Sequence, residues 1–262
     1  MTGPANPWRR RALFAGGAVS VAAWVVGAPR LANLWPSRLS YREIPGLAPF
    51  RELEMAGAQS TAALALSGVD GPLARNTAQD ARIASVRADP CTALFGPMID
   101  ARLPIAFFSD FNCPNCRVLE TILNAYDAAH PMSIRIVRRE LPLLGAASVI
   151  ASKAVLAADR QGGYRAMHDR LMRTRLVTDL NLIVTIATSV GLDGQRLIAD
   201  MQTPEIEMAL DNARAVASVF GFYGTPSTVI GSTVFLGAIA AVDVDLIIAD
   251  ELKLPRRACA SD

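Results

Sequence analysis

Two cysteines separated by two residues, at the point where an apolar strand gives way to a helix, constrain this 262-residue chain more than any other feature. They are Cys113 and Cys116, flanking Pro114-Asn115 in the segment FFSDFNCPNCR. Ahead of them LPIAFF, from Leu103, is a short apolar run bounded by Arg102 and by Ser109-Asp110, which predicts a buried strand. Behind them Val118, Leu119, Ile122, Leu123 and Tyr126 recur at helical spacing until His130-Pro131, which predicts a helix. Cys113 therefore falls at a helix N-terminus, where unpaired backbone N–H groups and about half a positive charge stabilise a thiolate. Pro114 suits the first helical turn because no N–H is needed there. Cys116 follows one turn on, within disulfide reach. The pattern predicts an exposed attacking thiolate at Cys113 and a sheltered resolving thiol at Cys116. Half of a structural zinc site is the competing reading. It needs a second ligand pair, and Cys91, Cys259, His130 and His168 are not spaced to supply one. Neither a metal nor a cofactor is expected.

The remaining pattern surrounds that junction with an α/β architecture. Ser133 to Glu140 alternates apolar and polar residues as a second strand, so strand, helix and strand form a parallel pair with a right-handed crossover. From Gly145 to Gly221 the sequence is helical, cut at Gly162-Gly163, at the cap Thr178-Asp179, at Gly191 and at Thr203-Pro204. That length exceeds any loop. Thr228 to Ile230 and Thr233 to Leu236 then read as a hairpin across Gly231-Ser232, and Asp243 as the cap of a final helix through Leu252. The expected organisation is a core from 101–144 and 222–254 interrupted by a helical domain at 145–221. Residues 31–100 are Pro/Gly/Ala/Ser-rich and read as an irregular arm or linker, with Tyr41 to Leu53 offering an edge strand.

Residues 1–30 read as an export segment. Arg9, Arg10 and Arg11 precede an uncharged run from Ala12 to Ala28 that would span about 25 Å as a helix, between a signal h-region and a membrane span of about 30 Å. Cleavage after Ala28 is opposed by Pro29, so the segment is either a cleaved signal peptide or a single membrane anchor, with Pro29 favouring the anchor. The formal charge is +2, and −1 without the first 28 residues, which leaves no basic surplus for nucleic acid. Two histidines in the whole chain argue against a His-rich metal site or a Ser/His/Asp triad.

With FSDFNCPNC at the junction, ELPLLG after the second strand, a helical insert, and GFYGTPSTVIG with Gly237 beyond it, the sequence resembles the DsbA-like branch of the thioredoxin superfamily, the exported thiol-disulfide oxidoreductases. The resemblance covers about Leu103 to Leu252. It implies a thioredoxin fold with an inserted α-helical domain over the active site, and a cis peptide at Thr225-Pro226 whose backbone pairs with a client strand. It implies catalysis by Cys113 and Cys116, supported by Pro114, Asn115, Thr225 and Pro226. Two departures matter. DsbA carries Cys-Pro-His-Cys, whereas Asn115 offers no cationic ring, so a less acidic Cys113 and a less oxidising pair are expected. Relatives often hold a buried acid in the first strand, whereas Ala106 and Phe107 occupy those positions, leaving Asp110 or a water to serve the resolving thiol.

The function so predicted is a disulfide oxidoreductase in the bacterial periplasm or on the outer face of the inner membrane. It would form, reduce or isomerise disulfides of exported proteins through a mixed disulfide on Cys113. Its redox partner would be a membrane protein of the DsbB or DsbD kind. The alternative is a metallochaperone holding Cu(I) on the same thiol pair. In an oxidising compartment two loose cysteines are a liability, so Cys91 and Cys259 are candidates for a structural disulfide between arm and tail, the alternatives being two independent thiols or a pair used between molecules.

Overall fold

A computed structural model describes residues 39–54, 57, 77–97, 99–175, 177, 179–254 and 259. The expected signal or anchor at 1–30 lies outside them, as does Thr178. Among the described residues no helix is long and apolar enough to cross a membrane. Six strands, β1 (Tyr41–Glu43), β2 (Arg51–Leu53), β3 (Leu103–Ser109), β4 (Ile134–Glu140), β5 (Ser227–Ile230) and β6 (Thr233–Leu236), form one sheet in the order β1-β2-β6-β5-β3-β4. The helices are α1 (Thr77–Ala88), α2 (Pro90–Phe95), α3 (Pro114–Ala129), α4 (Ala146–Asp159), α5 (Tyr164–Met172), α6 (Leu180–Ser189), α7 (Gly194–Asp200), α8 (Pro204–Phe220) and α9 (Ala241–Lys253).

Strand β3 lies between β5 and the edge strand β4, and every one of its residues is buried. It runs parallel to β4 from Leu103↔Ile134 to Ser109↔Glu140, with α3 as the crossover. On its other side it is antiparallel to β5, with Ile105 opposite Ile230 and Phe108 opposite Ser227. Because side chains alternate across a strand, the two faces of β3 enter different cores. Leu103, Ile105 and Phe107 pack with Leu119 and Leu123 of α3 and with Val244, Ile247 and Ile248 of α9. Ala106 and Phe108 pack with Leu94 and Phe95 of α2 and with Val216 and Phe220 of α8. Two covered faces explain the unbroken apolar run, as in a parallel sheet buried on both sides. A third core inside α4 to α7 collects Ala154, Leu171, Ile183, Ile186 and Leu197, and Phe111 joins it from the loop after β3. This is the thioredoxin arrangement with a helical insertion.

Two expectations are corrected. The stretch 31–100, read as irregular, carries the β1–β2 hairpin and the helices α1 and α2, and residues from Leu39 onward fall in one compact unit. β2 joins the sheet parallel to β6, with Arg51 opposite Thr233. Helix α1 shows weak periodicity because it buries one residue, Val86, and rests on α8 instead of presenting a broad apolar stripe. Helix α2 is capped at one end by Asp89, whose carboxylate accepts the Thr92 N–H at 3.0 Å. At its other end arginines of β4 serve its carbonyls, Arg135 donating to Phe95 and Arg139 to Leu94 and Ala93. The second correction concerns α9. It starts after Ala240 without a side-chain cap, so Asp243 lies in its first turn, where the helix dipole favours a carboxylate. By contrast, the breaks expected within 145–221 fall at helix ends, with Asp179 and Thr203 at the N-caps of α6 and α8.

Gly57 and Gly237 mark where the arm meets the sheet. The Gly57 N–H donates to Leu236 O at 2.7 Å, and a Cβ on Gly237, whose φ is +86°, would fall 2.3 Å from Gly57 backbone atoms. Only glycine allows that approach.

Candidate active site

Cys113 is the N-cap of α3, and its sulfur does the capping. With φ −87° and ψ 113° the backbone is extended, and Sγ accepts the Cys116 N–H at 3.1 Å. Here a sulfur takes the place of the usual Ser, Thr, Asp or Asn oxygen at the positive end of the helix. The Cys113 N–H donates to Asp110 O at 3.0 Å, and its Sγ lies 3.4 Å from Thr225 O. The Thr225-Pro226 peptide is cis. Neither of the two cysteines is in a disulfide. The structure thus brings together Cys113, Pro114, Asn115, Cys116, Thr225 and Pro226.

The expected exposure of Cys113 is corrected: its relative exposure is 0%, as is that of Cys116, while Pro114 is exposed and Asn115 half-buried. The cause is local. To accept the Cys116 N–H the sulfur folds back over the helix end, and there it meets the Thr225 carbonyl. Burial pushes the Cys116 thiol well above its ordinary value, and the neighbouring Cys113 sulfur adds to the rise against opposing hydrogen bonds from the Asp110 backbone and the Thr225 side chain. Cys116 is therefore held as a thiol in the free protein.

Asp110 cannot easily act on either sulfur. Its carboxylate, fully buried, accepts from Asn112 N at 2.8 Å, Ser148 Oγ at 2.7 Å, Leu143 N at 2.8 Å and Leu144 N at 2.9 Å. It ties the loop after β3 to the loop after β4 and to α4. Asn112 extends that tie, donating to Ser148 Oγ and accepting the Val177 N–H. Arg117 Nη2 lies 2.6, 2.6 and 3.1 Å from the carbonyls of Phe111, Thr174 and Arg175. The segment that carries the cysteines is thus bonded to the helical insert on both sides of them.

A second set of buried polar groups lies between α3, β4 and α5. Arg138 Nε donates to Glu120 Oε1 at 2.9 Å, and both side chains are almost wholly buried. The Tyr164 hydroxyl donates to Glu140 Oε1 at 2.6 Å. Burial raises the Glu120 carboxyl against the pull of Arg138, and raises Glu140 to about 8. His168 is enclosed by Phe111 and Tyr164, and burial, reinforced by Arg138, pushes it down to about 3, so its ring is neutral. Glu120, His168 and Asp169 offer ligand atoms within 4.8 Å of one another, yet Arg138 and Arg165 already pair with the two carboxylates.

The family model of the DSBA-like thioredoxin domain matches residues 104–246, over half of the chain. The chain belongs to that DsbA-like family. Among solved structures, a thioredoxin-like oxidoreductase from Silicibacter pomeroyi DSS-3 is 31% identical, with a TM-score of 0.59 over 62% of this chain and 98% of the other. The catalytic domain of Proteus mirabilis ScsC is 27% identical, with a TM-score of 0.57 over 66% of this chain and 98% of the other. The thiol-disulfide exchange protein alpha-DsbA2 of Wolbachia pipientis shares the fold at 19% identity and a TM-score of 0.56, over 68% of this chain and 99% of that one. No curated protein matched. The family is one of protein-disulfide oxidoreductases, and the DsbA-like domain of this chain has its dithiol at the expected strand-to-helix junction.

Away from that dithiol, Cys91 of α2 and Cys259 are bonded to each other across 168 residues of the DsbA-like chain. Sequence reasoning missed Asn112, Arg117 and Glu140. Glu140 is visible in hindsight as a charge ending a strand whose neighbour is apolar up to its last residue, Ser109. The partners of Asn112 and Arg117 in the helical insert lie 36 to 65 residues away and leave no local pattern.

Proposed function

We propose that this DsbA-like protein exchanges disulfides with exported proteins through Cys113, with Cys116 as the resolving thiol. The observation that carries the reading is the Cys113 sulfur at the positive end of α3, accepting the Cys116 N–H and touching the Thr225 carbonyl. A helix N-terminus stabilises the thiolate needed for attack, and the contacting sequence supplies the second sulfur one turn on. The raised Cys116 thiol fits the resolving role. In the exchange the Cys113 sulfur leaves the Thr225 carbonyl, and a client backbone pairs in its stead beside the Thr225-Pro226 turn. Pro114 and Asn115 form the accessible rim of the pair.

The basic, then apolar, N-terminal segment supports export to the periplasm or the outer face of the inner membrane. A quinone-coupled protein of the DsbB kind would reoxidise the pair; an electron donor of the DsbD kind would reduce it. Which of the two docks sets the direction. Replacing Cys116 with Ala tests the proposal. The variant should accumulate mixed disulfides between Cys113 and exported proteins, identifiable by mass. An absence of such adducts, together with tight Cu(I) binding by the wild-type pair, would establish the metallochaperone instead.

A further inference from the structure

We propose that the cleft between α1, α2, α8 and β4 binds a small monocarboxylate with an apolar body, held by the end of the Arg139 guanidinium. The site stands apart from the dithiol and goes beyond the exchange reaction. Helices α2 and α8 pack on the face of the sheet opposite α3, the helix that Cys113 caps. On that side α1, α2 and α8 leave a cleft of about 310 Å³ over β4, large enough to enclose a small organic molecule.

The cation of the cleft comes from strand alternation. Successive side chains leave β4 on opposite faces, so Arg138 goes to Glu120 on α3 and Arg139 goes to α2. There Nε of Arg139 donates to Leu94 O at 3.2 Å and Nη2 to Ala93 O at 3.3 Å. Those bonds use one edge of the planar group. The other edge, Nη1 with the second N–H of Nη2, meets no acceptor among the described residues. Nη1 is not a buried orphan either, so this edge opens on the cleft that Arg139 lines. Burial lowers the Arg139 pKa against the pull of Tyr164, and the charge of Arg135 adds to the fall; no acid offsets it. A cation drawn out of water is ordinarily compensated by an anion. The two neutral carbonyls compensate Arg139 in part, and a bound carboxylate would complete it.

The rest of the lining decides which anion fits. Val86, Ala93 and Val216 give the cleft an apolar wall against which a hydrocarbon body can lie. Arg82 on the rim is already answered by Asp211 at 3.5 Å. Asp89, also on the rim, is held ionised by the Thr92 N–H, which lowers its pKa. The cleft thus accepts a single negative charge and repels a second. A planar carboxylate matches the end of a guanidinium through two parallel N–H···O bonds. A phosphate dianion would instead bring extra charge toward Asp89 and the carbonyls of Leu94 and Ala93.

The test uses the full chain, labelled with nitrogen-15, in a low-salt buffer free of carboxylates, with sodium benzoate as the probe. The amide signals of 82–93 and the Nε–H signal of Arg139 should shift and saturate, while those of 113–116 stay in place. Benzamide, which has the shape without the charge, and inorganic phosphate should each bind about tenfold or more weaker. Arg139→Gln should weaken benzoate about tenfold or more. Because that change also removes the bonds to α2, Ser85→Phe is the second variant: position 85 is exposed on α1, and the ring narrows the cleft without touching the cation. It should cause a comparable loss. Asp89→Asn keeps a capping side chain on α2 while removing the rim's negative charge, so benzoate should bind about threefold tighter. The proposal is overturned by the absence of a saturable shift up to about 20 mM benzoate, a concentration that would reveal even millimolar affinity. Benzamide or phosphate binding as tightly as benzoate overturns it too, as does an unchanged benzoate affinity in folded Arg139→Gln or Ser85→Phe protein.

Discussion

Cys113 and Cys116 are two residues of one kind made unlike by position. Cys113 occupies an N-cap, so the backbone N–H of Cys116 is aimed at its sulfur. Cys116 lies within the helix, and burial holds it as a thiol. Limited alkylation with iodoacetamide at pH 7 should therefore modify Cys113 first and leave Cys116 intact, as peptide mass mapping would show. Equal labelling would contradict the assignment of roles. Asn115 belongs to the same scale. Without a cation there, the pair should have a reduction potential between about −120 and −270 mV, and Asn115→His should raise it, since a charged ring favours the Cys113 thiolate and hence the reduced form. A redox titration against glutathione checks both statements. Residue burial also sets the pH range of stability. Glu140 rises from an ordinary 4.5 to about 8 in the fold, so between those values the folded state holds the extra proton. Its contribution is complete below pH 4.5 and is lost as pH rises toward 8, at up to about 1.4 kcal/mol per pH unit. His168 falls from 6.5 to about 3, so its contribution is present above 6.5 and is lost as the pH drops toward 3. Urea denaturation across pH should show Glu140→Gln flattening the alkaline side of the curve and leaving the acid side unchanged.

At the scale of elements, the helical insert is held to the cysteine-bearing segment by polar bonds from a few side chains as well as by the Phe111 contact. Arg117 reaches the carbonyls that end the α5 region, and Asn112 reaches α4 and the approach to α6. Arg117→Met keeps the aliphatic stem and removes the guanidinium. It should lower stability by about 1–3 kcal/mol, since carbonyls lose a charged donor, and amide exchange should accelerate around 172–177 more than in β3. Uniform acceleration would mean that Arg117 does not act on the insert in particular. Strand β4 shows why such elements read ambiguously. Its alternation gives Ile134, Ile136, Arg138 and Glu140 to the α3 side, and Arg135 and Arg139 to the carbonyl end of α2. Both arginine sets are polar in sequence and bonded to other elements in the fold, which alternation alone does not reveal.

Over the whole molecule, the described residues from Leu39 up to β3 are part of the body of the fold. The hairpin β1–β2 extends the sheet beyond β6, α1 and α2 cover the face opposite α3, and the Cys91–Cys259 bond joins α2 to the tail. Closing so long a loop restricts the unfolded chain, and the bond should contribute about 2–5 kcal/mol. A Cys91→Ala, Cys259→Ala variant should unfold at lower urea by that amount while its Cys113/Cys116 exchange rate with glutathione disulfide stays unchanged. Loss of exchange in a folded variant would mean that this bridge and the dithiol are coupled.

Local chemistry wrote the strand-to-helix junction into the sequence. An apolar run, a cysteine at a helix start, a proline in its first turn and a second cysteine one turn later need no distant partner to be recognised, and the glycines and caps that divide the insert are equally local. Tertiary structure decided the rest. The inward turn of Cys113 depends on a carbonyl 112 residues away. The occupation of Asp110 depends on donors more than thirty residues off. The high proton affinity of Glu140 depends on burial beneath α3 and α5, which no neighbour in sequence reveals. Spacing along the chain sets which groups can meet within a turn; only packing sets how much water each of them loses.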